Sequence, residues 1–556
     1  MEVVNVISWD VYGYYLYLPA LLKYGDTSQY LFALDHINNY NVSTELYQVM
    51  DWNDSKAPIY TIGMAILYLP FYLLADLIAW IIPGIKADGM SPIYQWAIII
   101  ASWIYAGFGL YISDRVLRLL KIQGPIILLT LGMFFLGTSY FHYAAFENGM
   151  PHHFLFTLYI ILIYVTIKWH QKPTLYYACV GGAVMAILCL ARPSEFIALT
   201  IPLTYGIYHG LSYMIKFNKL WKYSNHLIWM IALSLVLVGI QMVFWKFNLD
   251  TWVFNGYQGH HFDWGNPHII DGLFSFRKGW LVYSPLCLIG LVGIPVIWKY
   301  DKRWMLPVAL FVIVNLYIVL SWHIWWYASS FGMRSLIQSY AVLIIPTAFA
   351  IRWSFSRTSS KCVMITIILL GIGLNQFQDW QYRNGILLQD EMNAAFYKKS
   401  FLKSTKDRDL RKLIDAPDIY PGKGSLITLD ARENSFSWDT ILPGSYGPTL
   451  RFPGLSLNTS KDISWLNVKA ELNAIGTSFN NHEQARLVLA QKIGDENIKW
   501  TGVRFQTIMN GEVPLELTFD HKLALPIQEN EIIESYVWNN GPDTILMRSI
   551  KVNYYK

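Results

Sequence analysis

The sequence predicts a mainly α-helical, polytopic transmembrane bundle followed by an extracytoplasmic β-sandwich. Three observations predict it. The 556 residues are 54% hydrophobic and 16% aromatic but only 15% charged, against about 25% charged in soluble domains. Ten apolar runs occupy residues 95–378, and the short loops between them alternate between basic and base-poor. After Pro417 the pattern changes to short alternating runs separated by turn residues.

A spanning helix needs roughly twenty mostly apolar residues. The ten runs are 95–114, 125–141, 152–168, 174–190, 195–211, 227–246, 281–298, 304–321, 335–351 and 362–378. Residues 58–83 are also apolar, but Pro70 and Asp76 interrupt them. Proline in a helix interior removes a hydrogen bond and clashes with the preceding turn. Two interfacial helices, or a re-entrant pair, are expected there rather than a crossing. Twenty-three Trp and thirty-seven Tyr suit a chain with many membrane–water boundaries.

Orientation follows from Lys and Arg in the short loops. One alternate set carries fourteen of them: Arg115, Arg118, Lys121, Lys168, Lys172, Lys216, Lys219, Lys222, Lys299, Lys302, Arg303, Arg352, Arg357 and Lys361. The other set carries only Arg192, Arg277, Lys278 and Arg334. The first set is therefore expected in the cytoplasm. The second set, residues 1–57 and the tail face outward across a plasma membrane (the inner membrane, in a bacterium). No basic, apolar leader occurs at the start, so no cleavable signal is expected.

Three regions are expected: a membrane domain over 1–378, with outer loop and interfacial helices at 1–94; a helical connector over 379–416, with a charged helix at 388–413; and a β-sandwich over 417–556 that resembles carbohydrate-binding modules. Strands are expected at 424–430, 449–457, 464–472, 485–491, 501–508, 514–520, 531–538 and 544–554. Cys179, Cys189, Cys287 and Cys362 all lie in apolar runs without metal or redox spacing, and read as buried inert thiols.

The outward loops carry the chemistry. Asp10 stands at the head of an aromatic stretch, as a charge favouring a helix start or as a general base at the membrane surface. Lys56, ahead of Pro58 and Tyr60, reads either as a side chain reaching lipid headgroups or as a phosphate contact. Glu147, His152 and His153 form a polar cluster between spans, where ionisable groups mark function. Their spacing matches no zinc motif, so a hydrogen-bonded acidic site is preferred and a divalent metal is the alternative. Arg192, Arg277 and Arg334 are isolated in base-poor loops, and a guanidinium binds phosphate bidentately. Tyr257, Trp325 and Trp326 suit an aromatic belt or stacking on a sugar face. Asp407-Arg408-Asp409 has a DxD form but lies in a lysine-rich helical stretch and reads as solvated surface. No Walker loop, GxGxxG or HExxH occurs, so nothing points to ATP, NAD, a zincin or nucleic acid.

The order of these motifs resembles the GT-C class of membrane glycosyltransferases, which includes dolichyl-phosphate-mannose protein mannosyltransferases and the lipid A aminoarabinose transferase. The resemblance covers residues 1–380. It implies a polyprenyl-phosphate sugar donor, a glycan, lipid or protein acceptor, membrane lipid around the bundle, and inversion at the anomeric carbon. Carried onto this chain, Asp10 is the base, Glu147 the second acid and Lys56 the donor-phosphate lysine, with Arg277 and Arg334 as further phosphate partners. Tyr60, His152, His153, Arg192, Tyr257, Trp325 and Trp326 are substrate-binding candidates. The chain departs from the class in lacking a span before Asp10, in having Val11 after it, and in carrying Glu rather than Asp at 147. Two alternatives stand beside this reading: an oligosaccharyltransferase or glycan ligase using a diphosphate-linked donor, and a lipid-linked sugar transporter or flippase.

Overall fold

The computed structural model describes residues 5–43, 46–407, 410, 413–415, 418, 420–422, 426–454, 464–474, 485–494, 496–505, 509–510, 515–524, 527, 530–541 and 543–555, with backbone alone at 426–438, 474 and 509–510. The chain divides into two units, Met1–Asp390 and Glu391–Lys556.

The first unit is helical. It opens with α1 (Trp9–Tyr15), α2 (Tyr17–Pro19) continuing into a π-turn at Ala20–Tyr24, and α3 (Phe32–Tyr40). A hairpin of β1 (Val49–Trp52) and β2 (Ser55–Pro58) follows, with Asp51 opposite Lys56. Next come α4 (Gly63–Ile81), α5 (Pro92–Leu119), α6 (Gly124–Leu136), α7 (Tyr140–Ala145), α8 (Pro151–Gln171) and α9 (Leu175–Ala191). A 3-10 helix at Pro193–Leu199 leads into α10 (Thr200–Thr204), then α11 (Gly210–Lys222) and α12 (Ser224–Leu249). The unit closes with α13 (Ile269–Phe274), α14 (Trp280–Tyr283), α15 (Cys287–Tyr300), α16 (Met305–Leu320), α17 (Tyr340–Ser354, preceded by a 3-10 helix at Arg334–Ser339) and α18 (Thr358–Arg383).

Among the described residues, seven helical segments are long and apolar enough to cross a membrane: α4, α5, α8, α12, α16, α17 and α18, the sixteenth and seventeenth counted with their leading 3-10 turns. The helices α6, α9 and α15 are apolar but shorter. Nine of the ten expected runs correspond to helices among these. The run expected at 195–211 does not form one helix. Pro202 removes a donor within it, and Gly206 at φ +88° turns the chain away after α10. Large apolar side chains such as Leu128, Trp229, Phe247 and Leu370 point outward from the bundle. Such a surface suits hydrocarbon, not water.

The expectation of two short helices over 58–83 is corrected: a single helix, α4, contains both Pro70 and Asp76. Its neighbours neutralise the two irregularities. Asp76 accepts a 2.5 Å hydrogen bond from Tyr94 and lies 3.4 Å from the Lys23 ammonium. Although long enough to cross, α4 has both ends at one end of the bundle, here called the upper end. Gly63 abuts the backbone of Leu190 and Ala191, where α9 finishes. The Asp76 partner Tyr94 sits in the first turn of α5, two turns before Ser102, whose hydroxyl accepts from Gly149 N just ahead of α8. The chain on either side of α4 is thus placed at the end of the bundle where α8 begins and α9 stops.

The second unit begins with α19 (Ala394–Ser400), the α-helical part of the expected 388–413 helix among the described residues. Asp407 pairs with Lys403 at 2.7 Å, as a solvated DxD segment would; Arg408 and Asp409 lie outside the described residues. Nine strands follow: β3 (Leu426–Ile441), β4 (Leu450–Pro453), β5 (Trp465–Ala474), β6 (Arg486–Ile493), β7 (Glu496–Arg504), β8 (Met509–Asn510), β9 (Leu515–Lys522), β10 (Glu531–Trp538) and β11 (Ile545–Tyr555). They form a four-stranded sheet, β4-β10-β6-β7, and a five-stranded sheet, β3-β11-β5-β9-β8. Leu487, Leu489, Ile533 and Val537 of one sheet share a core with Val468, Leu472, Leu517 and Ile550 of the other. Alternate residues of each strand face this core, the arrangement of a β-sandwich.

Candidate functional site

The upper end of the first unit gathers charges from five separate segments. Asp10 lies in the first turn of α1, directly after Trp9, whose φ of +49° is rare for a bulky residue. That backbone kink costs on the order of 1–2 kcal/mol and fixes where the following carboxylate points. Asp10 Oδ1 accepts 2.9 Å hydrogen bonds from both Tyr47 and Tyr60. Its Oδ2 lies 3.3 Å from Arg334. The carboxylate is therefore oriented from three directions and still partly exposed.

Arg334 is brought to Asp10 by the loop between α16 and α17. Gly332 makes this geometry accessible. Its φ is +62°, and a Cβ there would meet Ser139 Oγ at 2.9 Å and Tyr283 Cβ at 3.0 Å. The Arg334 side chain is nearly buried, and its Nε has no hydrogen-bond partner among the described residues. Arg192, in the turn after α9, is within hydrogen-bonding reach of Tyr14 and within electrostatic range of Tyr257, Tyr327 and Glu195. Among the described residues it forms no ion pair. Arg334 thus contacts the Asp10 carboxylate directly, and Arg192 lies beyond it, sharing the neighbours Tyr14 and Tyr257 with Asp10.

Glu147 is set by a second, buried arrangement. Its Oε1 lies 3.1 Å from His142 Nε2, and His142 Nδ1 lies 2.5 Å from Asp379 on α18. Arg383 bonds the other oxygen of Asp379 at 2.9 Å and stacks on Phe146 at 3.9 Å. Burial alone would pull the His142 imidazole down, but hydrogen bonds to Asp379 and Glu147 hold it up at about 9. At neutral pH it is an imidazolium between two carboxylates. Glu147 remains about a third exposed and lies within electrostatic range of Arg334 and Tyr143.

The other sequence candidates fall into three groups. Tyr60 and Tyr257 join Asp10, with ring centroids 6.2 Å apart in an edge contact. His152 and His153, on the first turn of α8, are fully buried. His152 lies beside Gln338 and within electrostatic range of Arg192 and Arg334, and the ring nitrogens of both His152 and His153 are buried without a hydrogen-bond partner among the described residues. The imidazole that binds Glu147 is thus His142, not either of this pair. Lys56, Arg277, Trp325 and Trp326 are engaged by other partners. The Lys56 ammonium is held 2.7 Å from Asp51 across the hairpin. Arg277 pairs with Asp390 at 2.9 Å and lies 3.9 Å over Trp326, and Trp325 packs on Trp326 and His268. The neighbouring Lys278 is buried and donates to the carbonyls of Ser330, at 2.5 Å, and Gln389. Burial pushes its ammonium down to about 7, against the pull of Asp390.

Tyr47, His142 and Asp379 were not legible as site residues. Each is an ordinary member of its local pattern, and only the fold brings it to an acid. Among the described residues no group of three or more His, Cys, Asp or Glu is arranged to hold a metal ion. Chemically, the upper end offers an oriented carboxylate able to accept a proton, and two arginines able to neutralise an anion beside it. No protein-family model matches the sequence, and no curated protein matches it.

Proposed function

We propose that the chain is an integral membrane glycosyltransferase of GT-C type. It moves a sugar from a polyprenyl-phosphate carrier to an extracytoplasmic acceptor hydroxyl, with inversion. The observation that carries this reading is the convergence of Asp10 and Arg334, with Tyr47, Tyr60 and Arg192, at the end of the bundle that the loop charges assign to the outside.

The chemistry follows from these groups. Asp10 accepts the proton of the acceptor hydroxyl as its oxygen bonds to the anomeric carbon from one face. The bond from that carbon to the phosphate oxygen breaks on the opposite face, and its electron pair leaves with the phosphate. Arg334 and Arg192 stabilise the charge that grows on the leaving phosphate, an effect worth roughly 2.7–4 kcal/mol for a single well-placed donor. Phosphate is already a good leaving group, so no strong general acid is needed. Tyr47 and Tyr60 hold the base carboxylate toward the acceptor. Glu147, fixed by His142, suits hydrogen bonding to hydroxyls of the transferred sugar or the acceptor. Lys56 and Arg277, engaged by Asp51 and Asp390, take no part in this scheme.

The test is transfer by the purified full chain in lipid nanodiscs, with matched sugars on polyprenyl monophosphate and polyprenyl diphosphate. Transfer from the monophosphate that disappears in Asp10→Asn supports the reading. Use of the diphosphate donor alone would replace it with an oligosaccharyltransferase or ligase. Carrier movement across the bilayer without any transfer would replace it with a transporter.

A further inference from the structure

The outer face of the four-stranded sheet carries a second constellation, far in sequence from Asp10. On this sheet the core-facing residues are Leu487, Leu489, Val503, Ile533 and Val537. Their neighbours therefore face away from the core. That opposite face holds Arg486 on β6, Trp500 on β7, and Tyr536 and Trp538 on β10. Tyr446 pairs with Trp538 in an isolated bridge beside β10. An ordinary solvated sheet face would carry short polar or charged side chains here.

The rings form one connected ledge. Tyr446 stacks on Trp538 with centroids 5.9 Å apart and planes at 19°, and meets Tyr536 edge-on at 5.7 Å. The Trp500 indole lies down along the sheet, over the place where Gly502 has no side chain. A Cβ at Gly502 would come within 2.2 Å of the Trp500 ring. Lying flat, Trp500 points its Nε1 at the Tyr536 hydroxyl, 3.4 Å away. Arg486 bridges the two halves, its guanidinium 5.5 Å from the Trp538 ring and 6.0 Å from that of Trp500. Tyr446 is 62% exposed and Trp500 38%. Around the rings the cations are ion-paired: Arg486 with Glu391, Arg504 with Glu391 and Asp415, and Arg451 and Lys492 with Glu534.

We propose that this ledge binds a neutral oligosaccharide and so holds the glycan acceptor of the transferase. Aromatic faces are electron-rich and attract the polarised C–H bonds on one face of a pyranose. The ring edges and paired charges beside them offer donors and acceptors to the hydroxyls at the sugar's rim. Three features select this occupant. The extended, connected rings match a chain of sugar rings better than a single small molecule. The ion-paired rim disfavours hydrocarbon, and its cations are already engaged by carboxylates rather than free for a strongly anionic polymer. Five residues form a patch too small for a stable protein interface, which takes about 800 Å² and 20–30 residues on each partner. The identity of the ligand rests on the transferase reading; the ledge itself does not.

The experiment measures oligosaccharide binding to the full chain in nanodiscs by saturation-transfer NMR. The probes are neutral linear glucose, mannose and N-acetylglucosamine oligomers of two to six units. The variants are Tyr446→Ala, Trp500→Ala, Trp538→Ala and Asp10→Asn. Binding of at least one oligomer series, weakened tenfold or more by Trp538→Ala and severalfold by Tyr446→Ala, supports the proposal. Tyr446 projects into solvent, so its loss tests the ledge without disturbing the sheet. Failure of the wild-type chain to bind any neutral oligomer overturns the proposal, as does binding indifferent to Tyr446→Ala and Trp500→Ala. Asp10→Asn separates the two readings: it should abolish transfer and leave oligosaccharide binding intact. If Asp10→Asn keeps full transfer while the ledge still binds, the catalytic reading fails and the ledge stands.

Discussion

The two ends of the helix bundle use their charges differently. At the lower end, several basic side chains are satisfied by near neighbours in sequence, although Lys216 and Lys219 reach His170 from another helix. Arg118 pairs with Asp114 and Arg303 with Asp301, both at 2.7 Å, and Arg115 reaches Tyr111 one turn away. Lys302 lies over the Trp298 ring. At the upper end the partners are remote. Asp10 and Arg334 are 324 residues apart, and His142 and Asp379 are 237 apart. A pair one helical turn apart needs only the helix to form. A pair hundreds of residues apart exists only if the whole fold delivers it. Such pairs are also more buried, where an unpaired charge is expensive. The contrast separates charges whose partners need only a local turn from charges whose partners need the whole fold.

Removing a remote charge should therefore cost far more than removing a local one. The largest effect is expected at Asp10. Asp10→Asn keeps the size and the tyrosine contacts but cannot accept the acceptor's proton. Turnover should fall about a thousandfold, in the range for loss of a general base, while donor affinity changes less than about threefold. Parallel turnover and donor-binding measurements check both parts. A comparable fall in donor affinity would make Asp10 a binding residue only.

The next effect is expected at His142, in stability. His142→Ala leaves Asp379 and Glu147 facing each other without the imidazolium, although Arg383 still serves Asp379. Breaking a buried pair of this kind costs about 3 kcal/mol, visible as a lowered unfolding midpoint in detergent. The pH dependence has a defined sign. The imidazolium is held up at about 9 in the fold, above the unfolded value of about 6.5. Its contribution is complete below about pH 6.5 and is lost as pH rises through 9. Lys278 acts oppositely. Its ammonium is pushed down to about 7, so it favours the fold increasingly between pH 7 and about 10. The difference between wild type and His142→Gln isolates the first effect. That difference should shrink steadily from pH 6.5 to 9, and a difference independent of pH would mean that His142 is neutral.

Arg334→Ala follows, with kcat/KM reduced about a hundredfold, the loss of one charge-assisted contact to the developing phosphate. Arg334→Lys should recover only part of it, because an ammonium lacks the planar fork that can serve Asp10 and an anion together. Full recovery by lysine would reduce Arg334 to a bulk positive charge.

These contrasts also explain what was legible in the sequence. Apolar runs have a period and a length, so nine of the ten expected runs fall on helices, six of them long enough to cross a membrane, and most strands of the sandwich could be placed. Loop charge asymmetry pointed to one end of the bundle, and the residues that meet there, Asp10, Arg192, Arg334 and Glu147, all came from loops of that set. Partner choice was not legible. Nothing in the run around His142 marks Asp379 as its counterpart, and nothing in 58–83 reveals that Tyr94 and Lys23 would neutralise Asp76 and leave α4 a single helix. Pro202 and Gly206 were visible, but an apolar run outweighed them, and the span expected at 195–211 was drawn too long.

Lys56 is the sharpest test of the contrast, because it sits at the upper end but is satisfied locally. Its partner Asp51 is five residues away in the same hairpin, and both side chains reach solvent. The resemblance to GT-C transferases assigns it to the donor phosphate; its pairing places it with the charges of the lower end. An exposed pair of this kind contributes about 0–1 kcal/mol, so Lys56→Ala should leave stability nearly unchanged. If locality of pairing is the right criterion, the same variant should alter kcat/KM less than about threefold, whereas Arg192→Ala should cost tenfold or more. If instead Lys56→Ala costs as much as Arg334→Ala, the hairpin must release the ammonium from Asp51 when donor binds. Asp51→Ala would then raise donor affinity by freeing it, and measured donor affinity of that variant decides between a fixed surface pair and a lysine held in reserve for the phosphate.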